Sequence, residues 1–330
     1  MDHLFERIRR LRTGKQDDEP EVRTDGGVAT DTSSSGLRDR LNTDFFQSMP
    51  FWLPPFALVG VFVYGAIGWN FLISLTDYEN FGRVDYSSLD FEMYVRAFND
   101  SSFIQATQNT VVLLLGFIGV CMTVGLLLAI LVDRNIRFEN TFRTIYLLPM
   151  SLSFVVTAQF WLWMYNFNNG VVNTALGLFG LGPFQWFGNP DLVLPAVIFA
   201  LVWQFSGYAM VVFLASLRAI PREHYEAARV DGASTVKMYW RVIIPQLKNA
   251  VVSALVVLMV FGLKAFDFLY AISGGYQPPN GSDILPTLMV RMAFQRTQWA
   301  YGSAIAILLF LLALGIITPY LYYQYKQGTI

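Results

Sequence analysis

The sequence has little charge, a single cysteine and two histidines. Charged residues make up 14% of its 330 residues, whereas ordinary soluble domains carry about 25%. Cys121 lies inside an apolar run and has no second cysteine to pair with, so a disulfide within the chain is excluded. His3 and His224 are too few for a histidine-rich metal site. The formal net charge of −1 also argues against a nucleic-acid partner, because such proteins usually present a basic surface.

Several motifs of soluble and membrane enzymes are missing as well. No GxxxxGK[ST] segment is present, so the chain has no phosphate-binding loop of the kind that hydrolyses ATP. No GxSxG segment and no histidine within an apolar run is present, which argues against an intramembrane hydrolase. An ion-coupled secondary transporter stays open as an alternative, although we see no clear internal repeat of the kind that many such transporters show.

What the sequence has in abundance is apolar residues, which make up 54% of the chain. Six apolar runs reach or approach the roughly 20 residues that a helix needs to cross the hydrocarbon core. They predict an all-α membrane protein whose transmembrane domain covers 46–330, after a polar and partly disordered tail, 1–45. The six predicted spans are 51–75, 106–132, 145–166, 192–214, 250–272 and 301–323.

Lysine and arginine residues indicate how these spans are oriented. The tail holds eight of them, the 133–143 turn three and the 216–249 loop six, whereas the three loops on the other side hold two, none and two. Basic loops stay in the cytoplasm. We therefore expect a multi-pass protein of the cytoplasmic membrane with both termini and the 216–249 loop in the cytoplasm.

The most distinctive stretch is the charged segment 220–247, which reads IPREHYEAARVDGASTVKMYWRVIIPQL. Pro221 suits the first turn of a helix, and Asp231-Gly232 then predicts a bend, because glycine adopts conformations that other residues avoid. A second helix is predicted from Ala233 to Ile243, ending before Pro245. The segment is too polar to span a bilayer and is expected to lie at the membrane surface.

This segment closely resembles the cytoplasmic EAA loop of ATP-binding-cassette (ABC) import permeases. The similarity rests on Glu226-Ala227-Ala228, on Asp231-Gly232-Ala233, and on Ile243 and Pro245. It extends over roughly 50–325, where RTIYLLP at 143–149 and the Tyr301–Ala304 stretch resemble the carbohydrate-uptake branch, of the maltose and glycerol-phosphate permease type. Tyr276–Pro279 departs from the glycine and proline pattern of that branch.

The resemblance implies a type I importer permease fold with six membrane helices and a cytoplasmic coupling helix. It implies partners as well: a second homologous permease, two ATP-binding cassette subunits that use ATP and Mg²⁺, and an extracytoplasmic solute-binding protein. The chain itself is expected to be no enzyme and to bind no cofactor or metal. The expected function is ATP-driven import of a sugar by alternating access, with glycerol phosphate, a polyol or another small solute as the alternative.

Two groups of residues are predicted to carry this function. The first contacts the ATPase: Glu226, Ala227, Ala228, Asp231, Gly232, Ala233 and Pro245. Within it, Glu226 is expected to make a charge-assisted contact with a basic ATPase residue, and Ala227 and Ala228 to leave room for close packing.

The second group consists of polar or amphipathic side chains at similar depth in the third, fourth and fifth spans: Gln159, Trp203, Gln204, Lys264 and Asp267. Sugar hydroxyls that leave water need polar partners, and ionisable groups within a membrane usually face a cavity or each other. Lys264 and Asp267 are three residues apart and are therefore predicted to share a helical face and to be able to pair. Polar contacts between helices, without a ligand, remain the alternative interpretation.

Overall fold

The computed structural model describes residues 35–134 and 138–326, and these residues form helices and turns without a β-strand. The chain divides into two compact units, one ending at Val61 and the other beginning at Phe62. Residues 1–34 of the predicted polar tail, 1–45, lie outside the described residues. An all-helical fold is confirmed.

The helices are numbered in chain order. They are α1 Ser35–Val59, α2 Gly65–Ser74, α3 Glu92–Asn99, α4 Ser101–Asp133, α5 Glu139–Leu147, α6 Phe154–Met164, α7 Val171–Gly177, α8 Pro190–Ala219, α9 Arg222–Val230, α10 Thr235–Met238, α11 Lys248–Leu263, α12 Phe266–Ser273, α13 Leu285–Val290 and α14 Trp299–Lys326. Short 3-10 or π turns occupy Gly60–Tyr64, Leu148–Ser151, Tyr239–Ile243, Ile244–Leu247 and Arg291–Gln295.

Five helical segments of the described residues are long and apolar enough to cross a membrane, and a bent pair of helices gives a sixth when its two halves are counted as one span. The five are Ser48–Ser74, Ser101–Asp133, Pro190–Ala219, Thr235–Ser273 and Trp299–Thr318. The pair consists of Glu139–Ser151 and Phe154–Met164, with an angle of 101° between its halves.

The bend interrupts the third predicted span, 145–166, between Ser151 and Phe154. Pro149 lies at the start of a 3-10 turn, Leu148–Ser151, where its missing amide hydrogen is not needed. Ser153 then has an extended backbone, and its hydroxyl accepts a hydrogen bond from the Val156 amide at 3.2 Å. Ser153 thus caps a new helix, α6, whose direction differs from that of α5.

The second helix of the charged segment also differs from the prediction, because it does not end before Pro245. It passes through the π turn Tyr239–Ile243 and the 3-10 turn Ile244–Leu247 into α11. Pro245 lies in the first turn of the 3-10 element, a position where proline costs no backbone hydrogen bond. Part of the surface segment is therefore continuous with the fifth membrane segment.

The core of the second unit is built around the crossing of α4 and α8. Small residues allow their backbones to approach closely, as is usual between membrane helices: a Cβ atom added at Gly125 would lie 2.5 Å from the Cβ of Ala209. Phe117 of α4 and Phe213 of α8, both nearly inaccessible, belong to the same apolar core. With 33 residues, α4 is about 50 Å long, and its two ends belong to different polar regions.

At the Ser101 end, hydrogen bonds join the loop after α12 to α4 and to the segment that follows the loop. Asp283 accepts hydrogen bonds from Thr287 and from the guanidinium of Arg291, and its carbonyl accepts one from Asn109 at 2.8 Å. A second apolar cluster, which includes Phe103 and Leu288, lies beneath it. At the Asp133 end lies the charged segment.

Candidate functional site

Helix α9 is a short amphipathic helix on the surface of the Asp133 end. Glu223 in its first turn and Arg229 in its last turn carry the charges that the helix dipole favours. One face packs inward, since Ala228 is only 6% exposed and Tyr225 is half-buried. Glu226 and Ala227 are exposed on the other face. Of the two alanines predicted to leave room for a partner, only Ala227 is available to one, because Ala228 packs against its own chain.

A glycine forms the bend after α9, where the sequence predicts it. Gly232 has φ +71°, a left-handed conformation that glycine adopts at helix ends without steric cost. Its amide donates to the Arg229 carbonyl and the Ala233 amide donates to the Ala228 carbonyl, both at 3.0 Å. These bonds complete the last turn of the helix, so the bend has one well-defined geometry. Asp231 is exposed at this bend and Ala233 is half-buried.

Tyr225 anchors α9 to the end of α8. Its ring lies 6.4 Å from that of Tyr239, and its hydroxyl lies 3.5 Å from the Leu217 carbonyl. Burial, together with the nearby Asp133 and Tyr239, raises the pKa of Tyr225 to about 12. The hydroxyl therefore stays protonated at physiological pH and remains a donor.

Two of the predicted path residues, Gln159 and Trp203, lie at contacts that α6 makes with α12 and with α8. Gln159 is exposed, and its Nε2 donates to the Ala271 carbonyl on α12 at 3.1 Å. The adjacent Phe160 stacks on Trp203, with ring centroids 5.8 Å apart and planes 10° apart. Trp203 therefore packs against α6 next to Gln159. The hydrogen bond of Gln159 joins α6 to α12, the helix that carries Asp267.

Lys264 and Asp267 do not lie on one continuous helix. The regular helix ends at Leu263 and resumes at Phe266, so Lys264 follows the end of α11 and Asp267 lies in the first turn of α12. Both side chains are exposed, and the ion pairs found among the described residues do not include one between them. A cation after a helix C-terminus and an anion at an N-terminus are each favoured by the helix dipoles. The two residues therefore lie on either side of a short break within the Thr235–Ser273 segment, without the ion pair that a shared helical face was predicted to allow.

Gln204 occupies a different environment from the other predicted path residues. It is 1% exposed, and its Nε2 donates to the Leu152 carbonyl at 2.8 Å, at the bend between α5 and α6. Its Oε1 makes no hydrogen bond within the described part of the chain. In this structure Gln204 therefore supports the bend from within the protein.

Sequence reasoning missed the size of this bend and also a group of ion pairs between Arg218, Asp133 and Glu139. Serine is a common helix N-cap, so Ser153 just before the apolar run from Phe154 was a sequence signal that a new helix starts there. The ion pairs had no sequence signal, because the three residues come from three separate helices.

The comparisons with known proteins agree with this architecture. The family model described as "Binding-protein-dependent transport system inner membrane component" matches residues 121–329. The chain belongs to this family. It is therefore an ABC transport permease, a membrane component rather than an enzyme, with the type I importer fold.

Two relatives show how much of this permease is shared. XacH of Haloferax volcanii, a xylose/arabinose import permease protein, is 60% identical over 89% of this chain and 93% of its own length. A probable ABC transporter permease of Pyrococcus horikoshii is 44% identical over 87% of this chain and 98% of its own. Among solved structures, a bacterial alginate ABC transporter in complex with a periplasmic protein has a similar fold. The TM-score is 0.72 with 24% identity, over 88% of this chain and 98% of the other.

Proposed function

We propose that this permease is the membrane subunit of an ATP-driven importer that carries a sugar, with the pentoses xylose and arabinose as the first candidates. The observation that carries the proposal is the 60% identity, over 89% of the chain, to a protein named as a xylose/arabinose import permease. The similarity extends through most of the membrane segments rather than a single motif, and the exposed Gln159, Lys264 and Asp267 are available for contacts with hydroxyl groups.

The proposed complex contains a second homologous permease, two ATP-binding cassette subunits and an extracytoplasmic solute-binding protein. ATP and Mg²⁺ are used by the cassette subunits, because this chain has no phosphate-binding loop. The termini and the 216–249 loop face the cytoplasm, which the distribution of lysine and arginine supports.

In the proposed mechanism, α9 transmits movement from an ATPase subunit to the membrane helices. Glu226 and Ala227 form the contact surface, and Gly232 holds the bend that makes α9 a rigid element rather than a loose linker. Asp231 borders this surface, Ala228 and Ala233 attach it to the core, and Pro245 lies where the segment continues into α11. Closure of the ATPase dimer would then switch the path from inward-facing to outward-facing, with Gln159, Trp203, Lys264 and Asp267 along it.

The test is uptake by the complete complex in proteoliposomes. Labelled xylose, arabinose, glucose, maltose, glycerol phosphate and sorbitol are supplied in turn with the cognate binding protein, with ATP inside the vesicles. We expect ATP-dependent uptake of a sugar and none without ATP. Uptake confined to glycerol phosphate or sorbitol would replace the sugar by the alternative substrates. Uptake abolished by an ionophore, and unaffected by removal of ATP, would contradict the proposal and favour a secondary transporter.

A further inference from the structure

Three charged side chains from three helices meet next to the start of the charged segment 220–247, the proposed coupling segment. They are Asp133, the last residue of α4, Glu139, the first residue of α5, and Arg218 in the last turn of α8. Arg218 Nη2 lies 2.6 Å from Glu139 Oε1, and Arg218 Nε lies 3.9 Å from Asp133 Oδ1. The contact with Glu139 has the distance of a charge-assisted hydrogen bond, whereas that with Asp133 is a looser ion pair.

This contact completes the attachment of α5 to α8. Near the far end of α5, Gly207 of α8 lies against the Tyr146 backbone, so closely that an added Cβ would be 1.9 Å from the Tyr146 carbonyl oxygen. Glu139, seven residues earlier, is about 10 Å away along the helix axis and contacts Arg218. Helix α5 therefore lies antiparallel to α8 and is held at two points, one by backbone packing and the other by Arg218.

The two attachment points connect different parts of the molecule. Arg218 lies four residues before Arg222, where α9 begins, and α5 leads through the bend into α6, which carries Gln159. A cavity of about 500 Å³ separates Arg218 and Asp133 from the charged residues of α9, including Arg222 and Glu226. The lining comes from the ends of α4 and α8 and from α9, so movement of α9 reaches α5 through the end of α8 and the contact of Arg218 with Glu139.

A partly exposed ion pair contributes little to overall stability, and the Arg218 side chain is 41% exposed. Small interaction energies nevertheless matter when they connect two elements that move during a functional cycle. The position of Arg218 suits a role in motion better than one in holding the fold together.

We propose that Arg218 is a positioning residue that holds the Glu139 end of α5 on α8, so that the bent segment α5–α6 moves together with α9 during transport. The inference rests on the proposed function, because it assumes that α9 receives its movement from an ATPase subunit. Without the contact, α5 keeps its attachment at Gly207, but its other end no longer follows the root of the coupling segment.

The test compares Arg218→Met and Arg218→Lys in the complete complex, in proteoliposomes with ATP and the binding protein. Three quantities are measured: the amount of ATPase that co-purifies, the rate of ATP hydrolysis, and the sugar taken up per ATP hydrolysed. We expect Arg218→Met to retain the bound ATPase and its hydrolysis, while uptake per ATP falls roughly fivefold, within the range for residues that couple distant sites. Arg218→Lys keeps the charge and should recover at least half of the wild-type ratio.

A charge exchange separates this role from a general effect on folding. Arg218→Glu and Glu139→Arg alone should each lower uptake per ATP, and the double variant Arg218→Glu/Glu139→Arg should restore it, with similar melting temperatures throughout. Wild-type uptake per ATP in Arg218→Met, or a double variant no better than the single ones, would overturn the inference. Failure of the proposed function would look different, because the wild-type complex itself would then show no ATP-dependent uptake.

Discussion

At the scale of single residues, the contact between Gly207 and the Tyr146 backbone leaves no room for a side chain. An added Cβ would lie 1.9 Å from the Tyr146 oxygen and 2.6 Å from its carbonyl carbon. Both are backbone atoms, so neither can rotate away. The contact sets the distance between α5 and α8.

We expect Gly207→Ala to destabilise the permease by about 3 kcal/mol, the upper end of the usual cost of overpacking, because α5 and α8 must separate. The measurement is the melting temperature of the purified complex in detergent. Gly119→Ala is the matched control: nothing lies within 4 Å of the added Cβ, and alanine is the better helix former. An unchanged melting temperature for Gly207→Ala would contradict the close contact between α5 and α8 at Gly207.

The separation of Lys264 and Asp267 onto two helix ends also leads to a prediction. We expect Lys264→Met and Asp267→Leu each to reduce sugar uptake, since each removes a charge from the proposed path. The two residues are only three positions apart, so the sum of the two single losses, expressed as free energies, is compared with the loss in the double variant to measure the coupling between them. Initial uptake rates of the two single variants and the double variant give the test. Normal uptake by the double variant would remove both residues from the path, and strong coupling would show that they do interact.

Residue-level predictions succeeded where the determining interactions were local. The bend at Asp231-Gly232 could be predicted because the conformation of Gly232 depends mainly on glycine itself. The environment of Gln204 could not, because its hydrogen-bond partner belongs to a bend in another segment, 52 residues earlier in the chain. Depth along a span indicates where a polar group lies in the membrane, but not which neighbour it faces.

At the scale of elements, α9 and its bend form one unit with an inward and an outward face. We expect Glu226→Lys to weaken ATPase binding, because it reverses the charge of the exposed face.

Gly232→Asp should have the same effect through strain at φ +71°, where a residue with a side chain costs roughly 1 kcal/mol or more. Both variants should lower uptake without unfolding the membrane segments. Co-purification of the ATPase and uptake are the measurements.

Glu223→Gln serves as the control for Glu226→Lys, since Glu223 also lies on α9 and is exposed, but the substitution reverses no charge. It should retain most of the ATPase binding. If Glu226→Lys and Gly232→Asp both co-purify and transport like the wild type, α9 is not the element that binds the ATPase.

The six apolar segments were easier to predict than the positions at which their helices bend, end or continue. Six apolar segments follow from the sequence because apolar length alone determines them. The 101° bend does not, since Phe154–Met164 is as apolar as a continuous span would be. Its position depends on Pro149, on the Ser153 cap and on support from α8. The continuation through Pro245 was missed for a related reason: proline excludes a regular helical hydrogen bond, but it permits a 3-10 turn.

At the scale of the whole molecule, the orientation of the chain can be tested with introduced cysteines. The native Cys121 is fully buried, so the wild type is expected to remain unlabelled by a membrane-impermeant maleimide. Phe179→Cys, at a site 81% exposed in the 167–191 loop, should be labelled in intact cells. Val236→Cys, 79% exposed, and Lys326→Cys should react only after the membrane is permeabilised. Labelling of Val236→Cys in intact cells would reverse the orientation and exclude contact with a cytoplasmic ATPase.

The bend between α5 and α6 also limits what can surround this chain. Where a helix is interrupted, backbone amides and carbonyls lose their regular partners, and acyl chains offer them none. Gln204 supplies a single donor from one side, while Ser151, Leu152 and Ser153 are exposed on the other. That side must therefore border a hydrated vestibule or the flank of another polypeptide, and lipid tails cannot be its neighbours.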